Sequence, residues 1–334
     1  MLAQRLELPY AAEASPGVWV VAVPIPDNPL RYVLVYAIAA ADGGVVLVDA
    51  GWGAVASFEA LRDGLAAGGI GLADVRGVVV THLHPDHYGL AGHVHEHSGC
   101  WVAMHPADAR LIDDRYRGGE TMRRRTREWL VAAGAPAAEI EDTAQSLSLR
   151  ATLSVVDPDV LLTHGDRVPL AGRDVRAVHT PGHTPGHLCL HDPDAGLFWS
   201  GDHLLPRITP NIGFHAQSDP DPLGDYLRSL AETRAYGEPL VLPGHEYRFR
   251  GLGERAAAIA THHEERLDGV EALVRAGART VWEVSRSLEW AVPAGPRYLQ
   301  RSALAEAYAH LIHLETRGRV RRAGTTPAIW TVAA

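Results

Sequence analysis

The 334-residue chain carries 31 Lys+Arg against 40 Asp+Glu, for a net charge of −9, with 46% hydrophobic and 21% charged residues. Such a composition is that of an ordinary globular protein, and the length suits two domains. The acidic balance argues against a general nucleic-acid binder while leaving room for a local basic patch. All the basic residues are arginine, so a lysine Schiff base is excluded as a route of catalysis.

Cys100 and Cys189 stand far apart and no C-x-x-C motif occurs, so both are read as small buried hydrophobes. The stretch from Met1 to Tyr10 mixes charges and lacks an apolar h-region, and no segment reaches the apolar length of a membrane span. The expectation is a cytoplasmic protein.

In chain order, the β-branched and aromatic runs at 17–24, 31–39 and 45–49 read as strands, the last two flanking an Asp42-Gly43-Gly44 turn. Helical spacing over 55–67 ends at Gly68-Gly69. A short apolar strand at 75–80 then runs into Thr81-His82-Leu83-His84-Pro85-Asp86-His87. After a strand at 100–104, the segment 106–149 is polar, Arg-rich and helical, broken at Gly118-Gly119 and Gly134. Strands are expected at 160–170, 175–179, 187–191, 197–200 and 240–242, with a helix at 222–236. This alternation predicts an α/β domain. From about Gly253 helices at 254–276, 281–290 and 301–317 precede a hairpin of 320–322 and 329–332, the element order of a winged helix.

The chemistry sits in His82-x-His84-x-Asp86-His87. Imidazole nitrogen and carboxylate oxygen are donors that Zn²⁺ and similar divalent metals take. In an extended segment His82 and His84 share a face, and Pro85 bends the chain so that Asp86 and His87 can reach a second position. Three further donors, His183, Asp202 and His245, each follow a glycine at a predicted strand end, where open α/β sheets place their sites.

The motifs Leu47-Val48-Asp49-Ala50-Gly51, His82 to His87, Gly182-His183, Gly201-Asp202 and Gly244-His245, in that order, resemble the metallo-β-lactamase superfamily of binuclear hydrolases over about residues 15–250. The set lacks cysteine and resembles the glyoxalase II and thioesterase branch. The resemblance implies an αββα sandwich over residues 1–252, with a helical insertion at about 105–160, followed by a winged-helix-like domain at 253–334. It implies two divalent metals, expected to be Zn²⁺: His82, His84 and His183 on one, Asp86, His87 and His245 on the other, Asp202 bridging. It implies hydrolysis of a small ester, thioester or lactone by a metal-activated hydroxide, with Asp86 as the catalytic residue that orients it. Asp49 and His187 are expected to support the ligands from behind.

Position alone suggests His203, Arg207, Phe214 and His215 as substrate contacts. His93, His95 and His97 are read as a helix or loop face without metal partners, and His262 with His263 as a solvated helix face. The partner expected is a small molecule, with no membrane, nucleic acid disfavoured and a homodimer left open. A metal-dependent ribonuclease or phosphodiesterase and a mononuclear iron oxygenase are the competing activities. The absence of lysine makes glutathione thioesters a less natural substrate than other thioesters.

Overall fold

The computed structural model describes residues 7–146, 154–290 and 297–333. The chain opens with an antiparallel meander, β1 (Tyr10–Ser15), β2 (Val18–Pro24), β3 (Tyr32–Ala39) and β4 (Val45–Val48). Helix α1 (Val55–Ala67) carries it to β5 (Val75–Val79). Helices α2 (Pro85–Tyr88) and α3 (Ala91–Ser98) lead to β6 (Trp101–Met104). Helix α4 (Pro106–Ala109), a π-helical turn (Asp113–Arg117), α5 (Gly119–Ala132) and α6 (Ala137–Ser146) intervene before β7 (Val160–Leu161). These seven strands form one sheet in sequence order, parallel from β4 onward.

The second sheet contains β8 (Arg176–His179), β9 (Leu188–Asp192), β10 (Leu197–Gly201) and, after α7 (Pro222–Thr233), β11 (Leu240–Pro243). Its order is β11-β10-β9-β8, with β10 and β11 parallel. Helices α8 (Leu252–Arg275), α9 (Val281–Ser287) and α10 (Arg297–Thr316) and the hairpin β12 (Val320–Ala323) and β13 (Ile329–Val332) complete the chain.

Strand alternation divides the core into layers. Val20, Ala22, Leu34, Tyr36, Ile38, Val46 and Val48 point between the sheets and meet Leu188, Leu190, Trp199 and Leu242 from the other side. Their neighbours Val21, Val23, Val33, Val35 and Leu47 point outward under Leu61 and Leu65 of α1 and Val94 of α3. A third cluster covers the outer face of the second sheet. Val178, Phe198 and Val241 share it with Tyr226 of α7, Ile259 of α8, Val284 of α9, Leu311 of α10 and Trp330 of β13. The C-terminal elements therefore pack in the expected order but on the sandwich, within one continuous core.

Some expected elements differ. The strand predicted over 160–170 is only Val160–Leu161. Asp166 accepts hydrogen bonds from the Thr163 amide and hydroxyl, both at 2.7 Å, and turns the chain there. The edge strand β1 was not expected from its Ala-rich sequence. The helix predicted over 281–290 ends at Ser287, and residues 147–149 of the predicted helical stretch lie outside the described residues. His263, expected on a solvated face, is fully buried, its Nδ1 3.2 Å from Nε2 of His310 where α8 meets α10. The apolar residues on α8 at helical spacing from it carry it inward.

Candidate metal centre

Five strand ends converge at one edge of the sandwich. Asp49 follows β4, His82 to His87 follow β5, His183 follows β8, Asp202 follows β10 and His245 follows β11. Leu83, fully buried in the outer core, anchors the loop so that His82 and His84 on either side turn the other way. Backbone hydrogen bonds lock the loops together: Leu188 N–H to Thr81 O at 2.8 Å, Gly244 N–H to Gly201 O at 2.8 Å, and Leu34 N–H to Gly244 O at 2.7 Å. Gly244 is required by contact. A Cβ there would lie 2.7 Å from Asp202 Oδ1 and 2.7 Å from His87 Cε1.

The hydrogen bonds fix which nitrogen of each imidazole faces the centre. His183 Nδ1 donates to the Asn211 carbonyl at 2.9 Å, and His245 Nδ1 to the Tyr32 carbonyl at 2.8 Å. His87 Nδ1 lies 2.7 Å from Asp49 Oδ2 and donates to it. A neutral ring that donates at Nδ1 keeps a lone pair at Nε2. These three Nε2 atoms, with Asp202 Oδ1, are buried without a hydrogen-bond partner. His82 follows the same logic. Thr81 gives its hydroxyl proton to Asp49 Oδ2 at 3.0 Å, His82 Nδ1 donates to Thr81 Oγ1 at 3.0 Å, and His82 Nε2 then faces His84 Nδ1 at 3.0 Å.

Imidazole nitrogens and carboxylate oxygens converging on one point form the donor set of a cation, which binds by displacing any proton they hold. Three groups have donor atoms within 4.8 Å of one another: His82, His84 and His183; His82, His87 and Asp202; and Asp86, His87 and His245. Asp202 faces both sides. Its Oδ2 lies 3.6 Å from His183 Nε2, while Oδ1 lies 3.4 Å from both His87 Nε2 and His245 Nε2. Asp86 Oδ2 is 3.4 Å from His245 Nε2. Burial, then neighbouring imidazoles, hold His82 well below its ordinary pKa. At His245 burial acts downward too, but Asp202 and Asp86 outweigh it and raise the ring to about 10, so Nε2 holds a proton that a bound cation would displace.

A family model for the metallo-beta-lactamase superfamily matches residues 28–245, well over half of the chain. The chain belongs to the metallo-beta-lactamase superfamily. A crystal structure of a metallo-beta-lactamase family protein from Thermus thermophilus is 31% identical, covers 95% of this chain and 99% of that one, and superposes with a TM-score of 0.80. That coverage extends the likeness into the C-terminal helices. Hydroxyacylglutathione hydrolase of Cereibacter sphaeroides is 35% identical over 27% of this chain and 33% of that one. Acyl-coenzyme A thioesterase of Gallus gallus is 31% identical over 47% of this chain and 52% of that one. The matches thus span less than two thirds of either relative.

In this superfamily member the remaining expected residues fall into two groups. Asp49 sits behind His87 as described, and its Oδ1 also accepts from the Thr81 amide at 2.7 Å. His187 is buried, with Nδ1 2.8 Å from Thr180 Oγ1 and Nε2 accepting from the Asp202 amide at 3.1 Å, so it fixes the backbone that carries Asp202. A cavity of about 750 Å³ includes His84, Asp86, His183, Asp202 and His245 of the donor set in its lining, together with Trp282, Arg286 and Trp290. His215 lines it, with its pKa pushed down to about 3 by burial and then by Arg115.

Three of the expected substrate contacts do not face this cavity. His203 is fully buried behind the site, 2.8 Å from Thr233 Oγ1, because the chain turns inward after Asp202. Arg207 pairs with Glu246 at 2.7 Å and ties down its own loop. Phe214 packs on Tyr308 of α10, ring centroids 4.8 Å apart. The sequence reading also missed Asp108, which is fully buried. It accepts from the Leu83 amide at 2.9 Å, the Thr184 hydroxyl at 2.8 Å and the Gly186 amide at 2.7 Å, joining two ligand loops. Its only signal is an acidic residue in the first turn of a short helix after Pro106.

Proposed function

We propose that this chain is a hydrolase holding two divalent metals, Zn²⁺ by the nature of the donors, and that it cleaves a small ester, thioester or lactone. His82, His84 and His183 would hold one ion, Asp86, His87 and His245 the other, and Asp202 both. The observation that carries the reading is the placement of Asp202, one oxygen toward each histidine group. When bound, such ions lower the pKa of water toward neutrality and polarise a carbonyl. The chain's own part is positional. Asp49 keeps the proton on His87 Nδ1 and so keeps Nε2 aimed inward. Asp86, half-buried on the cavity wall, orients the attacking water and takes its proton at the carboxylate.

The C-terminal elements act, in this reading, as a winged-helix-like unit that supplies part of the cavity wall. Charge supports that role over nucleic-acid binding. Arg317 pairs with Glu264, Arg319 with Asp268 and Glu271, and Arg322 with Glu315, so most of the basic cluster is neutralised within the molecule, and Arg321 donates to the Thr331 hydroxyl. The name of the chicken relative, an acyl-coenzyme A thioesterase, brings thioesters forward among the candidates.

Elemental analysis of the purified protein, followed by thioester, lactone and phosphodiester turnover, tests the proposal. Two zinc ions per chain are expected, with acyl hydrolysis lost on chelation and restored by Zn²⁺. Asp202→Ala is expected to lower metal content and turnover together, by more than the roughly 10-fold to 100-fold that outer-shell losses cause. One tightly bound iron with oxygen consumption, or cleavage of RNA alone, would overturn the reading.

A further inference from the structure

The helical segment between β6 and β7 is rich in arginine, and nearly all of that charge is internally neutralised. Arg117 pairs with Asp157, Arg124 with Glu128 and Arg127 with Glu141. Arg110, Arg123 and Arg125 each have a carboxylate as well. Arg115 is the exception. Among the described residues its side chain forms no ion pair or hydrogen bond, the buried Asp108 carboxylate acting on it only through space, and its Nε is buried without a partner. Leaving a guanidinium N–H buried and unsatisfied is costly, and such groups call for an explanation.

Its location supplies one. Arg115 lines the same cavity as His84, His183 and Asp202. It is carried by the π-helical turn Asp113–Arg117, a wide turn of a kind often found at functional sites. The turn is fastened to the metal loop by the next residue: the Tyr116 hydroxyl donates to the Leu83 carbonyl, and its ring stacks on Tyr88 with centroids 5.5 Å apart. Arg115 is thus a held cation beside the donor set, with its hydrogen-bonding capacity unused by the protein. A guanidinium presents a planar fork of donors that fits a carboxylate or a phosphate.

We infer that Arg115 is a specificity-determining residue that binds an anionic group of the substrate. The inference rests on the hydrolase reading above and narrows it to acyl compounds bearing a carboxylate or phosphate. The fork accepts either anion, and the two can be separated by which half of the substrate carries the charge.

The test uses the metal-loaded full chain and three thioesters: neutral S-butanoyl-N-acetylcysteamine, S-succinyl-N-acetylcysteamine with a carboxylate on the acyl side, and butanoyl-coenzyme A with phosphates on the leaving group. Arg115→Gln is expected to lower kcat/KM for one charged substrate by roughly 10-fold to 100-fold, the worth of a hydrogen bond to a charged group. The neutral thioester should change by less than about 3-fold. Arg115→Lys should recover part of the loss. A loss on the succinyl substrate identifies a carboxylate in the acyl part, and a loss on the coenzyme A substrate a phosphate in the leaving group. An equal effect on all three, or none, overturns the assignment. If the wild-type protein turns over none of them, the ester, thioester and lactone reading loses its support. Arg115 is then judged by calorimetric titration with succinate and with inorganic phosphate. Binding abolished in Arg115→Gln supports the anion site, whereas binding unchanged, or absent from the wild type, overturns it.

Discussion

At the scale of single residues, the centre depends on groups that never face the cavity. Asp108 shows this most sharply, since its carboxylate alone gathers donors from the loop of His82 to His87 and from the loop of His183 to His187. Asp108→Ala would leave the Leu83 and Gly186 amides buried without an acceptor, at about 1–3 kcal/mol each. Urea unfolding is expected to show a loss of that size, together with weaker metal retention. The pH dependence has a definite sign. Burial, opposed by the Leu83, Thr184 and Gly186 donors and by the charge of Arg115, holds the Asp108 carboxyl up at about 6. In the unfolded chain an Asp titrates near about 3.9. Between those values the folded state binds more protons, so the Asp108 contribution to stability falls as pH rises from about 4 through 6. Asp108→Asn should flatten that part of the profile, and a wild-type slope retained in the variant would assign it to another group. The seven metal-type residues were legible in the sequence because four of them form one dense histidine and aspartate motif and the other three follow a glycine at a predicted strand end. Asp108 was not, because a lone aspartate after a proline carries no pattern. His203 and Arg207 were misplaced for the opposite reason: nearness in sequence to Asp202 does not say which way a loop turns.

At the scale of elements, strands and long helices followed the hydrophobic period closely. Helix α1 spans the residues its spacing predicts, and β13 does the same. The failures came where side chains or neighbours override the period. Asp166 turns the chain within a predicted strand, and β1 is a strand only because β2 offers it an edge. Contacts between elements were beyond the sequence, and Asp221 is an example. It caps α7 by accepting from the Gly224 amide at 3.0 Å, and it also lies 2.8 Å from Nδ1 of His313 on α10. Replacing it with alanine removes an N-cap, typically worth about 1 kcal/mol, and one tie between the two helices. Asp221→Ala should therefore lower the unfolding midpoint by an amount in that range or somewhat above. Asp221→Ser, which keeps a cap but not the carboxylate, should recover part of it. Full recovery by serine would mean that the His313 contact contributes nothing.

At the scale of the whole molecule, the open question is whether the last 82 or so residues form a dispensable module. The sequence suggested a boundary near Gly253 because composition and element type change there, and periodicity shows that each helix has an apolar face. It does not show what that face packs on. In the structure the answer is the second sheet: Phe198 and Val241 lie in one cluster with Ile259, Val284, Leu311 and Trp330. The same C-terminal segment lines the cavity, to which Trp282, Arg286 and Trp290 contribute. Removing residues 253–334 would expose the outer face of the second sheet and of α7, where Tyr226 and Leu230 are now buried. A contiguous apolar face of that kind leads to association or loose packing in water. The truncated chain of residues 1–252 is therefore expected to aggregate, or to bind a hydrophobic dye strongly and unfold without a sharp transition. Metal binding should weaken with it, because His183 is held by Asn211, whose side chain in turn donates to Glu306 on α10 at 2.9 Å. Size-exclusion chromatography, a urea titration and metal analysis of the two chains side by side decide the matter. A monomeric fragment that unfolds cooperatively and keeps its metals and its turnover would show that the sandwich is complete by residue 252 and that the C-terminal helices are an addition to it.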